Sequence, residues 1–206
     1  MYMNSEPILI IAGEPFSIFS EIFVKTLRKK KFKKPLVLIA SFDLIKDQTK
    51  FFGYNIPINI INENFKKNNL KKNRINLINI DLKYKKFFTK ITNLSYVYNK
   101  ECFELALKLI KKRKFSGLIN GPISKKHFLK KSDLGITEFL ARKTNTKRFA
   151  MLIFNRKLAV CPVTTHVPLK KVSSLISKKK IVDKVRLIKK FYKKYFKKDP
   201  KIAITG

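Results

Sequence analysis

Hydrophobic positions along this chain follow two alternating patterns. Short continuous apolar runs stand at Pro7–Ala12, Pro35–Ala40, Ile56–Ile61, Ile75–Leu82 and Phe115–Ile119. Continuous runs bounded by turn residues read as strands buried on both faces, as in a parallel sheet. Pro57 inside the third run predicts an edge position, because proline donates nothing to a ladder. Between the runs, apolar residues recur at three- and four-residue spacing. Ser17 is placed to cap a helix over Ile18–Leu27, with Ile18, Ile22 and Lys25 together with Phe23 and Leu27 as its stripe and Glu21 in the first turn. Ser41-Phe42-Asp43 opens a short helix to about Phe51. Ser95 to Lys112 reads as a longer one, with Cys102, Phe103, Ala106, Leu107 and Ile110 on one face. Alternation of this kind predicts an α/β fold. The Asn/Lys-rich stretch 62–74 reads as a mobile loop, and Tyr84–Leu94 has no clear period.

The second half is patterned differently. Ser124 is expected to cap a helix carrying His127 and Phe128, and Gly135–Ala141 opens another, with Thr137 near its start. Phe149–Phe154 and Lys157–Val163 read as two strands joined by a tight turn at Asn155-Arg156. Within the second, Leu158–Cys161 is an apolar run expected to be a buried strand, with Thr164-Thr165-His166-Val167-Pro168 at its carboxyl end. Ile181–Phe196 is a long helix with a stripe of Ile181, Val185, Ile188 and Tyr192 and lysines opposite. Pro200–Gly206 reads as a last strand. A buried strand normally delivers its chain into a loop at the ligand face. A chain that stops there is expected to be truncated, or to come from a split or decaying gene.

Composition narrows this picture. The 206 residues suffice for one large or two small domains, and a first α/β domain at 1–118 and the start of a second at 119–206 are expected. No apolar stretch reaches 18 residues and no basic leader precedes an apolar core, so neither a membrane span nor a signal peptide is expected. Cys102 and Cys161 sit in apolar segments and read as small buried hydrophobes, in a cytoplasmic protein. Lys+Arg 48 against Asp+Glu 13 leaves a net charge of +35. Charge of that size suggests a polyanionic partner, and a basic nucleic-acid-binding protein is an alternative reading. The lysines are spread along the chain, however, and the phenylalanines fall mainly on apolar stripes rather than among the charges. Drift toward AT-rich codons accounts for such a composition, so no specific nucleic-acid partner is expected.

Candidate chemistry gathers at strand ends and helix starts. Gly13-Glu14-Pro15 turns the chain between the first strand and helix, where a helix N-terminus can hold an anion, but the glycines of a dinucleotide fingerprint are missing. Thr137 offers a hydroxyl near backbone N–H groups. His166 is an imidazole beyond an apolar run. Taken by itself that histidine reads as a surface residue of a capped turn, because zinc sites use three or more ligands.

Five separated pieces nevertheless stand in one order: Gly13-Glu14-Pro15, Asn120-Gly121-Pro122-Ile123-Ser124-Lys125, Gly135-Ile136-Thr137-Glu138-Phe139-Leu140-Ala141, Thr164-Thr165-His166-Val167-Pro168-Leu169, and Ile204-Thr205-Gly206. Together they resemble the 4-hydroxythreonine-4-phosphate dehydrogenase family of pyridoxal phosphate biosynthesis, over its N-terminal portion. The resemblance implies an isocitrate-dehydrogenase-like α/β/α sandwich and a homodimer. It also implies NAD and a divalent metal (Zn, Mg or Co) as cofactors, and a small phosphorylated amino-acid substrate that is oxidised and decarboxylated. It implies that His166 is one of three metal histidines, that Thr137 contacts the substrate phosphate, and that Lys125 lines the same cleft. Ile136 departs from the family, which has a histidine there, and isoleucine donates no hydrogen bond. The family also has glycines where Ser17 and Phe19 stand, and a longer loop where Leu129–Leu134 runs. It continues beyond Thr205-Gly206 into a segment carrying the second metal histidine. The chain as given is therefore expected to be inactive, and a non-catalytic remnant of the enzyme is a further alternative.

Overall fold

The computed structural model describes residues 6–112, 115–129, 133–155 and 157–205. The chain divides into two compact units, Met1–Phe128 and Leu129–Gly206.

The first unit is built on a five-stranded parallel sheet: β1 (Ile8–Ile11), β2 (Leu36–Ala40), β3 (Ile58–Ile60), β4 (Ile75–Asn79) and β5 (Gly117–Asn120), in the order β3-β4-β2-β1-β5. All five expected runs are strands, and the one holding Pro57 lies at the edge. In the centre, Ile8 pairs with Leu36 on one side and Gly117 on the other. Four helices accompany the sheet: α1 (Phe19–Lys29), α2 (Phe42–Phe51), α3 (Asn93–Lys112) and the single turn α4 (Lys125–Phe128). Successive strand residues point to opposite faces. Phe23 of α1 and Ile45 of α2 pack with Ile10, Leu38, Ala40 and Leu77 on one of them. α3 runs against β1 and β2, burying Cys102, Phe103, Ala106 and Leu109. Ser41, at the start of the expected helix, caps α2, its hydroxyl accepting from Leu44 N at 3.4 Å.

Three details of this unit differ from the sequence reading. α1 buries Ser20, Phe23 and Val24, while Ile18 and Ile22 are 60% and 53% exposed. Residues 20, 23, 24 and 27 share the helical spacing of the expected stripe, rotated toward the sheet. Ser17 accepts from Phe19 N at 3.3 Å, but Ile18 holds the cap position. Residues 62–74 are anchored rather than loose: they contain a 3-10 turn at Lys67–Asn69, and Phe65 and Leu70 are buried. Asn76 ties them down, accepting from Lys71 N at 2.7 Å and donating to Lys71 O at 3.1 Å. The stretch without a clear period contributes Phe87 and Phe88 to an aromatic cluster with Phe51 and Phe52.

The second unit contains α5 (Ile136–Lys143), β6 (Ile153–Phe154), β7 (Ala159–Val160), a short α6 (Val172–Leu175) and the long α7 (Lys178–Phe196). The two strands expected at 149–163 shrink to an antiparallel pair of two residues each. Leu158–Cys161 is accordingly not a buried strand, since β7 pairs with β6 alone and Leu158 is 71% exposed. At the turn, Asn155 N donates to Leu158 O at 3.0 Å, and Arg156 lies outside the described residues. Residues 200–205 form no strand, because no other described strand pairs with them; Gly206 lies outside the described residues, as do 130–132 of the loop before α5. α7 starts at Ser177, whose hydroxyl accepts from Lys180 N at 3.3 Å, and ends at Lys197 in the left-handed conformation. Its expected stripe is half-buried.

Candidate functional site

Two places in the fold hold the residues singled out by sequence. The first is the carboxyl edge of the parallel sheet, where β1 and β5 deliver Gly13-Glu14-Pro15 and Gly121-Pro122. The two turns interlock. Glu14 N donates to Pro122 O at 2.7 Å, and Gly121 N donates to Ile11 O at 2.8 Å. A Cβ on Gly121 would stand 2.0 Å from Ala12 O, and one on Gly13 would stand 2.3 Å from Pro122 O; Gly13 also has φ +77°. Both positions therefore exclude a side chain.

Glu14 is buried beneath this edge with Ser95 and Asn99 of α3. Its Oε2 accepts from Asn99 Nδ2 at 3.3 Å, while its Oε1 and Asn99 Oδ1 are buried without a hydrogen-bond partner. Burial raises the Glu14 carboxyl above its ordinary value; hydrogen bonds from Ser95 and Asn99 and the charge of His127 oppose that rise. Lys125 begins α4 and is exposed. His127 is exposed too, its Nδ1 2.8 Å from Ser124 Oγ.

The second place is the start of α5, in the other unit. Gly135 is the N-cap in extended conformation, with φ −160°, and Thr137 and Glu138 lie in the first turn. Asp133 steadies the approach, since its carboxylate receives Arg142 Nε at 2.9 Å and Nη2 at 2.5 Å from the last turn of the same helix. The Thr164–Leu169 segment folds back onto this helix start. Thr165 Oγ1 donates to Glu138 Oε1 at 2.8 Å. His166 is exposed, with φ +54°, and its Nε2 lies 3.0 Å from where a Cβ on Gly135 would be.

Thr137 and His166 thus belong to elements that meet within one unit, at a helix N-terminus suited to an anion. Lys125 belongs to the first unit. Sequence reasoning passed over Glu138, whose place three residues after a helix cap is itself a signal, and over the Glu14–Asn99 pair, which no spacing announces. Among the described residues no group of three or more His, Cys, Asp or Glu side chains could hold a metal ion. No described helix is long and apolar enough to cross a membrane. A cavity of about 720 Å³ opens at the opposite edge of the sheet, near Leu36 and Ile75. Five of its 18 lining residues are Lys or Arg, close to the proportion of 48 in 206 for the whole chain, so its charge follows composition.

Comparison with known proteins adds to this geometry. The family model described as "Pyridoxal phosphate biosynthetic protein PdxA" matches residues 31–206. A protein of Sulfurihydrogenibium sp. named 4-hydroxythreonine-4-phosphate dehydrogenase is 35% identical over 204 residues, covering 96% of this chain and 61% of its own length. One of the same name from Aquifex aeolicus is 42% identical over 93 residues, covering 44% of this chain and 29% of its own length. The chain spans about three-fifths of the length of the relatives it matches end to end. Among solved structures, a putative 4-hydroxythreonine-4-phosphate dehydrogenase from Salmonella typhimurium superposes with a TM-score of 0.74 at 21% identity, covering 92% of this chain and 60% of that one. That likeness establishes the α/β fold.

Proposed function

Because the chain belongs to the pyridoxal phosphate biosynthetic protein PdxA family, we propose that it supplies part of a 4-hydroxythreonine-4-phosphate dehydrogenase. In this reading the whole enzyme is a cytoplasmic homodimer with the isocitrate-dehydrogenase-like sandwich. It oxidises 4-phosphohydroxy-L-threonine with NAD and a divalent metal, and the product loses carbon dioxide. One observation carries the reading: the Thr164–Leu169 and Gly135–Ala141 motifs, 27 residues apart at Glu138 and Thr165, meet through a hydrogen bond at the start of one helix.

The roles are those the resemblance implies, and the residue types suit them. Thr137 and the first N–H groups of α5 are suited to the substrate phosphate. Lys125, a compact positive charge, is put forward as a further substrate-binding residue. His166 is put forward as one metal ligand. It does not hold a divalent ion unaided, because catalytic sites use three protein ligands, so the reading requires further ligands besides those the described residues bring together. Ile136 withholds the hydrogen bond a histidine would donate there.

A chimera tests this. Residues 1–206 replace the matching part of the Sulfurihydrogenibium protein, and NAD reduction with 4-phosphohydroxythreonine is followed together with bound metal. Turnover is expected, with loss of both metal and turnover in His166→Ala and a raised KM in Thr137→Ala. The isolated chain is expected to show neither stoichiometric metal nor turnover. A folded, metal-free and inactive chimera would favour the non-catalytic remnant. His166→Ala with full metal content would remove His166 from the site.

A further inference from the structure

We propose that Glu138 is the positioning residue for His166, acting through Thr165, and that residue 135 is glycine so that the imidazole can lie beside that carboxylate. The proposal deepens the reading above by naming what sets the pose of its histidine.

His166 has φ +54°, in the left-handed region that a residue with a Cβ enters only at a cost in energy. Such a conformation persists where its surroundings over-determine it. The preceding residue supplies a tether: Thr165 Oγ1 donates to Glu138 Oε1 at 2.8 Å. Glu138 lies in the first turn of an eight-residue helix, whose start is braced by the Asp133–Arg142 pair. The hydrogen bond therefore links the histidine's loop to a rigid element.

The second carboxylate oxygen points to the same assignment. Oε2 of Glu138 is buried without a hydrogen-bond partner. A Cβ on Gly135 would stand 2.8 Å from this oxygen, 3.0 Å from His166 Nε2 and 3.2 Å from His166 Cδ2. Oxygen and ring edge thus crowd one point over the helix cap, which is vacant because residue 135 has no side chain. Gly135 is extended, so the backbone does not require glycine there; the space does. A purely capping Glu138 would turn back to the N-cap backbone N–H, whereas here one oxygen goes to Thr165 and the other, like the ring edge, faces the space above Gly135.

The test uses the labelled 206-residue chain in solution, with His127→Gln to separate the two imidazoles. A cross-peak between the His166 ring proton on Cδ2 and the Gly135 Hα protons is expected in the parent, in Glu138→Gln and in Thr165→Ser, which keep an acceptor and a donor. Its loss is expected in Glu138→Ala and Thr165→Val, with helix content and melting temperature close to those of the parent. Gly135→Ala is expected to shift the His166 ring signals as well. A cross-peak that survives in both Glu138→Ala and Thr165→Val overturns the proposal. If Glu138→Ala fails to fold, Thr165→Val decides alone. Because this readout needs neither metal nor turnover, an inactive chimera with the cross-peak intact would count against the dehydrogenase reading and leave the positioning role standing.

Discussion

β1 and β7 are both short apolar segments, yet their fates differ. Leu9 and Ile11 are completely buried, while Val160 is 51% exposed. β1 lies between β2 and β5, with helices packed on the sheet; β7 has one antiparallel neighbour of two residues. The contrast extends to the helices. α3 buries nine residues, whereas α7, one residue shorter, buries none. Instead α7 shows an aromatic end, with Tyr192 and Phe196 packed around Phe154 and with Phe191 beside them. Apolar content alone does not bury a segment; neighbours on both sides do.

The sharpest way to break this contrast is a pair of truncations. Phe103, 1% exposed and stacked on Phe128 at 5.0 Å, should cost about 3–5 kcal/mol on conversion to alanine. Phe191→Ala on α7 should cost under about 1 kcal/mol. Urea unfolding followed by circular dichroism measures both. Equal costs would mean that α7 is held as firmly as α3.

A smaller effect separates two glycines of the first unit. Gly121→Ala should destabilise by about 2–3 kcal/mol, since its Cβ meets the Ala12 carbonyl. Gly117→Ala, with nothing within 4 Å of its Cβ, should be nearly neutral. A benign Gly121→Ala would show that the two turns at the sheet edge are not interlocked.

The smallest expected effect is a slope. Glu14 holds its proton to higher pH in the folded chain than in the unfolded one. Its contribution is therefore fully present below its ordinary value of 4.5 and is lost as pH rises through the raised folded value. The stability difference between the parent and Glu14→Gln should accordingly move against the parent as pH rises above that ordinary value. A parallel pair of curves would mean that Glu14 ionises freely where it stands.

Much of this was legible in the chain. The five parallel strands announced themselves as continuous apolar runs, and Pro57 marked its strand as the edge, because a strand covered on both faces has no polar side to show. Ser41, which opens an expected helix, is its N-cap, whereas Ser177 caps a helix that begins at Lys178, ahead of the expected Ile181. Legibility failed where a local period had two solutions. Ile18 and Ile22 fit one helical face as well as Ser20 and Val24 fit the neighbouring one, and only contact with the sheet chose between them. It failed again at 149–163, where each expected strand pairs over only two residues, and at 200–205, where no described strand pairs with the chain.

The candidate site divides along the same line. Local spacing placed Thr137 at a helix start and His166 after an apolar stretch, both properties of a few consecutive residues. The meeting of Thr165 with Glu138, the crowding of His166 over Gly135 and the burial of Glu14 against Asn99 were decided by tertiary structure alone. Each depends on segments 27 to 85 residues apart in the chain being brought together, and no local period encodes such an approach.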